Sequence, residues 1–156
     1  MHVATHGFVA LDEGEAPPLA RRSPLALCGL ALAGANAGPD EHGFEGVITA
    51  EELATLDLSR CELVVLSACD THAGQVSAGQ GVASFQKALH AAGARVVVTS
   101  LWKVSDETTR ALMASFYGAL WRDGATPEAA LWTAKRALRE RRAPVRDWAG
   151  WILSRP

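Results

Sequence analysis

Cysteine is scarce in this chain. Three cysteines among 156 residues, an odd number without framework spacing, exclude a disulfide scaffold of the secreted type. No apolar run approaches 20 residues, so the sequence offers no membrane-spanning helix, and it opens on no secretory leader. Charge of one sign does not dominate either. Fifteen basic against 17 acidic side chains leave a formal net charge of −2, which excludes a bulk attraction to nucleic acid or to an anionic membrane. No segment is repeated. What remains is ordinary for a packed domain: 49% hydrophobic and 21% charged residues suffice for one core without staples. The expectation is a single soluble, cytoplasmic domain over residues 1–156.

Two short segments stand out. Each is an apolar run that leads into a reactive side chain: His2-Val3-Ala4-Thr5-His6-Gly7-Phe8, and Glu62-Leu63-Val64-Val65-Leu66-Ser67-Ala68-Cys69-Asp70-Thr71. Runs such as Leu63 to Leu66 are too short for a core helix, rich in β-branched residues, and read as buried strands of a parallel sheet. Ligands of open α/β sheets bind just past the carboxyl ends of the strands. If these two strands are neighbours, His6 and Cys69 meet at one edge, an imidazole beside a thiol, which is the minimal equipment for nucleophilic attack on a carbonyl.

The rest of the chain alternates strand and helix signals. Residues 2–5 read as a strand, and residues 9–24, with Pro17-Pro18, as a loop. Leu25 to Ala33 mixes alternating leucine with helix-favouring alanine. Asn36 to Gly46 is a Gly-rich loop. Thr49-Ala50-Glu51-Glu52 is a capping box that starts a short helix to about Leu56. The loop from Asp70 to Gly79 feeds a helix from about Gly81 to Ala92, with Gly93 at a left-handed cap. Arg95 to Ser100 is the clearest buried strand. Asp106 and Glu107 open a helix to about Trp121. Thr126-Pro127 starts another, to about Arg142. Pro144 ends it, and Trp148 to Leu153 reads as a last strand. The pattern is that of a layered α/β sheet.

His-Val-Ala-Thr-His-Gly-Phe (2–8), Ile48-Thr49-Ala50-Glu51-Glu52, Val64 to Thr71 and Val98-Thr99-Ser100-Leu101-Trp102-Lys103-Val104, in that order, closely resemble the CHAT domain, a member of the caspase-like clan of cysteine peptidases. The resemblance covers nearly the whole chain and tips Leu25 to Ala33 toward short extended segments. It implies a caspase-like three-layer αβα sandwich with a mainly parallel sheet, His6 as the base and Cys69 as the nucleophile. By analogy with caspases, the backbone amides of Gly7 and Cys69 form the oxyanion hole. Glycine after the histidine lets substrate approach the backbone closely. The resemblance implies no cofactor and no metal. CHAT domains usually follow helical tetratricopeptide repeats in larger proteins, so a regulatory repeat domain upstream and a protein substrate are the partners expected.

One departure is visible. Complete caspase-like domains carry two strands before the strand that bears the histidine, whereas here that strand begins at residue 1. The chain therefore resembles the C-terminal part of the domain. On that resemblance its amino-terminal strands are expected to be missing, its sheet edge to be open to association, and the chain alone to be a poor enzyme.

The caspase substrate-pairing run Ser-Trp-Arg is similar to Ser100-Leu101-Trp102-Lys103, with one extra residue. Ser100 and Trp102 are therefore candidates for substrate binding, although a tryptophan packed under its loop fits the same pattern. Asp70 is a candidate acid for a basic substrate side chain. The acid that metacaspases carry two positions before the cysteine is replaced by Ser67, which weakens a basic preference.

Other reactive side chains have plainer readings. Cys28 and Cys61 read as packing. His2 reads as packing or hydrogen bonding near the sheet edge, and His42 and His90 as loop and helix-surface residues. Cys69-Asp70-Thr71-His72 has metal-ligand spacing and, with His2 and His6, makes a minor zinc alternative. The basic run Lys135, Arg136, Arg139, Arg141, Arg142 and Arg146 reads as a solvated helix face, with docking to an acidic partner as the lesser reading. Two function classes stay open: a cysteine endopeptidase module of bacterial signalling or defence, and a non-catalytic interaction domain, either a pseudo-protease or an incomplete fragment.

Overall fold

The valine-rich runs form the centre of the molecule. In the computed structural model, which describes residues 1–9, 23, 25–68 and 78–156, β5 (Val64–Ser67) and β6 (Val97–Ser100) lie parallel, with Val65 opposite Val98. The runs are apolar throughout because both faces of the sheet are covered. Val64, Leu66 and Val97 enter one core with Ala50 and Leu53 of α1 (Ala50–Leu53) and Phe85, Ala88 and Leu89 of α2 (Ala78–Ala91). Val65 and Val98 enter the opposite core with Leu112 and Phe116 of α3 (Asp106–Tyr117) and Ala130, Leu131 and Ala134 of α4 (Pro127–Glu140). The result is a three-layer αβα sandwich.

One further strand flanks the β5–β6 pair on either side among the described residues. β1 (His2–Ala4) pairs parallel with β5, Ala4 opposite Ser67, and β7 (Trp151–Ser154) pairs antiparallel with β6. The order is β1-β5-β6-β7, mainly parallel and consistent with a caspase-like fold. A second, antiparallel sheet has the order β2-β3-β4 and consists of β2 (His6–Val9), β3 (Cys28–Ala31) and β4 (Val47–Thr49). Cys28 and Leu30 of β3 are buried in the core shared with α2. The Phe8 ring lies over its cross-strand partner Gly29, where a side chain would collide with it.

Local chemistry sets most of the element ends. Thr49 and Glu52 form the expected reciprocal capping box. Ser105 caps α3, with Asp106 and Glu107 in its first turn, and Thr126 caps α4, with proline following. Gly93 adopts φ +106° after α2, in the left-handed region that favours glycine.

Several boundaries differ from the sequence reading. Residues 2–5 are not one strand: the chain bends at Thr5 and passes from one sheet to the other. α1 stops at Leu53 and α2 starts at Ala78. Beyond Tyr117 the helix loosens into a π-helical turn, Gly118–Arg122. α4 stops at Glu140. The segment after Pro144 first makes one helical turn, α5 (Val145–Trp148), before β7 begins at Trp151. Among the described residues, no helix is long and apolar enough to cross a membrane.

Candidate active site

The parallel pairing of β1 with β5 brings the two reactive segments together. Ala4 and Ser67 are level in the register. The next amide in the first segment, that of Thr5, donates to the Ser67 carbonyl at 3.1 Å. His6 therefore follows β1 at the height where Ala68 leads the chain into Cys69. The thiol itself, like Asp70 and His72, lies outside the described residues.

Gly7 fixes the spacing between the segments. It is buried, and a β-carbon there would overlap the Ala68 carbonyl oxygen. The glycine after the histidine thus admits the protein's own backbone, and the carbonyl it admits belongs to the residue just before Cys69. His6, one residue earlier, is exposed at the start of β2, opposite Ala31 of β3. The Thr5 hydroxyl donates to the Ala31 carbonyl.

A small cleft of about 160 Å³ opens beside His6 at the carboxyl ends of β1, β5 and β6, lined by Thr5, His6, Ser67, Ser100, Lys103 and Asp106 among others. Ser100 is fully buried and its hydroxyl donates to the Trp102 carbonyl at 2.5 Å, closing the turn after β6. Trp102 is not among the residues that line this cleft. Its indole N–H donates to the Arg146 carbonyl at 2.6 Å and its ring lies on Gly150, where a β-carbon would come within 2.7 Å. Trp102 is nonetheless 39% exposed, so part of it stays open to solvent. Sequence reasoning gave Thr5 and Lys103 no role at this site, and read Asp106 only as a helix-start residue. Their signal was positional: each lies within a few residues of a strand's carboxyl end, where such sites form.

The remaining titratable groups lie elsewhere. Cys28 is buried, and burial raises its thiol pKa, partly offset by a hydrogen bond from Ser84, so it stays a neutral packing group. Cys61 precedes β5 at the opposite end of the strand, its thiol donating to the Leu63 carbonyl at 3.4 Å. His2 is on β1, not on one strand face with His6. Its Nδ1 is hydrogen-bonded to the Tyr117 hydroxyl at 2.9 Å, and burial, then the N-terminal ammonium, lower its pKa. His90 is no bare surface residue. Its ring bridges the Ala94 carbonyl and the Ser154 hydroxyl, both at 2.9 Å. Among the described residues, no three His, Cys, Asp or Glu side chains gather as metal ligands.

Members of the basic run are engaged at home. Lys135 donates to the Ala149 carbonyl, Arg136 pairs with Glu140, and Arg146 with Asp147.

Comparison with known proteins matches residues 1–156 to the CHAT domain family. The chain is also 33% identical over 111 residues to tetratricopeptide repeat protein 28 of Mus musculus, and 32% identical over 111 residues to its counterpart in Homo sapiens. These alignments cover 70% of this chain but 4% of the length of either relative.

Proposed function

The chain belongs to the CHAT domain family, of the caspase-like cysteine peptidase clan, and on that premise we propose that it is a cysteine endopeptidase module with His6 and Cys69 as its dyad. The observation that carries this reading is the contact of Gly7 with the Ala68 carbonyl, which sets the residue after the base against the residue before the nucleophile.

In this mechanism His6 holds the Cys69 proton, and the thiolate attacks the scissile carbonyl carbon. The carbonyl oxygen becomes an oxyanion, stabilised by the amides of Gly7 and Cys69. The C–N bond breaks as the His6 imidazolium protonates the leaving amine, which leaves a thioester. Water, deprotonated by His6, then attacks the thioester. The acid product departs and the thiol is restored. Ser100 helps shape the cleft from beneath, through the turn after β6, and Asp70 is the acid proposed to meet a basic substrate side chain. Trp102, partly exposed at the turn it holds against α5, offers its ring to substrate. The protein is cytoplasmic, uses no metal or cofactor, and is regulated by a repeat domain elsewhere in its parent protein. The names of its relatives support that last association.

Proteolysis by the full-length protein tests the dyad. Cys69→Ala and His6→Ala each abolish it, while Cys28→Ala and Cys61→Ala leave it intact; activity retained in Cys69→Ala rejects the assignment.

A second reading, a non-catalytic interaction domain, draws on one feature. Trp121 and Trp132 are 74% and 65% exposed on the α3–α4 layer, and exposed aromatic side chains are common anchors of recognition. Absence of proteolysis in the unmutated protein, with partner binding lost in Trp121→Ala, would favour it.

A further inference from the structure

Thr5 occupies the bend between the two sheets, and it holds both. Its amide donates to the Ser67 carbonyl, in the segment that runs on through Ala68 to Cys69. Its hydroxyl donates to the carbonyl of Ala31, the residue paired across the ladder with His6. β1 of the main sheet ends at Ala4 and β2 of the second begins at His6, so along this segment a single residue joins the two strands. Cys28 and Leu30 anchor β3 in the core, and β4 runs directly into α1, but β2 lies at an edge of the second sheet, so its angle to β1 rests on the contacts at this joint. Gly7 sets how closely the two may approach, but as a backbone contact it does not set the rotation.

We propose that Thr5 is a positioning residue for the dyad, its hydroxyl locking the strand that carries His6 at the angle where the imidazole reaches the Cys69 thiol. This rests on the dyad reading. The side chain touches no reacting atom in that scheme. It acts through Ala31 and His6, and its value lies in the small tolerance of reacting groups for misplacement, where about 1 Å can cost 10²-fold in rate.

The test is the pH dependence of Cys69 alkylation by iodoacetamide in the full-length protein, with the labelled residue identified by peptide mass mapping. An imidazole in place shifts thiolate formation to lower pH, toward neutrality, and a thiol without it ionises near about 8.5. Thr5→Val keeps the shape and removes the donor. It should move the midpoint of the profile upward, with alkylation about tenfold slower near pH 6.5 and within about twofold of the unmutated rate near pH 9.5. Thr5→Ser restores the hydroxyl and should restore the midpoint. A purely structural role would lower the folded fraction without moving the midpoint.

An unmoved midpoint in folded Thr5→Val overturns the proposal. If Thr5→Val does not fold, Thr5→Ser decides alone: a midpoint displaced although the hydroxyl is present overturns it, and an unmoved one supports it. His6→Ala distinguishes a failure of the dyad from a failure of the role given to Thr5. If it leaves the midpoint unmoved, the dyad itself is wrong, and the role given to Thr5 falls with it.

Discussion

The α-carbon of Gly7 lies directly against the carbonyl oxygen of Ala68, with no room between them for a side chain. Gly7→Ala therefore forces β2 away from the end of β5. Overpacking at such a contact costs about 1–3 kcal/mol, and the displacement should lower proteolysis by about 10²-fold or more. Thermal unfolding and turnover measured on one preparation check this. Unchanged activity would show that the spacing is not needed for catalysis.

The capping box at α1 predicts a purely structural effect. Thr49 Oγ1 accepts the Glu52 amide at 3.1 Å, while the Glu52 carboxylate accepts the Thr49 amide at 2.7 Å. Thr49→Ala should cost about 1 kcal/mol of stability without changing the pH profile of Cys69 alkylation. Chemical denaturation and the alkylation profile read the two effects separately.

Arg142 carries φ +56° just after α4, a left-handed conformation that glycine adopts without steric cost. Arg142→Gly should stabilise the protein by about 0.5–1 kcal/mol, a rise in Tm of about 1–4 °C for a chain of this size. A fall in Tm would mean that the arginine side chain contributes more than its backbone costs.

Stability should fall with acid in two stages. Burial, and then the N-terminal ammonium, lower the His2 pKa below its ordinary 6.5. Its contribution is therefore complete above 6.5 and is lost as pH drops from there through the lower folded value. Glu52, held down by its bonds to the Thr49 amide and hydroxyl, and Glu128, held down chiefly by Arg155, lie below their ordinary 4.5. Their contributions are complete above 4.5 and are lost as pH falls below it. Tm followed from pH 8 to 3 should show both stages, and His2→Gln should remove the upper one alone.

The features legible in the sequence were those fixed by local chemistry. The Thr49–Glu52 box, the Thr126-Pro127 start and the glycine after α2 need only their immediate neighbours. The valine runs of β5 and β6 announced burial on both faces. What escaped was decided by distant partners. The bend at Thr5 depends on Ser67 and Ala31, residues 62 and 26 positions away in the chain, so an apolar run of uniform appearance is split between two sheets. His90 looked exposed because the periodicity of α2 does not reveal that β7 places Ser154 beside it. The packing of the Trp102 ring on Gly150 was likewise not visible in its motif, because Gly150 lies far along the chain. At the site, the neighbourhood of the two reactive segments was a condition of the sequence reading, and the pairing of β1 with β5 meets it. The bend between β1 and β2 was not legible, because the bonds of Thr5 reach residues distant in the sequence.

The most direct measurement is mass mapping of a peptidyl acyloxymethylketone adduct on the full-length protein, unmutated and as His6→Ala. The dyad predicts one adduct on Cys69 in the unmutated protein, none on Cys28 or Cys61, and loss of the Cys69 adduct in His6→Ala at neutral pH. An adduct on Cys61, or equal labelling of Cys69 with and without His6, would contradict it.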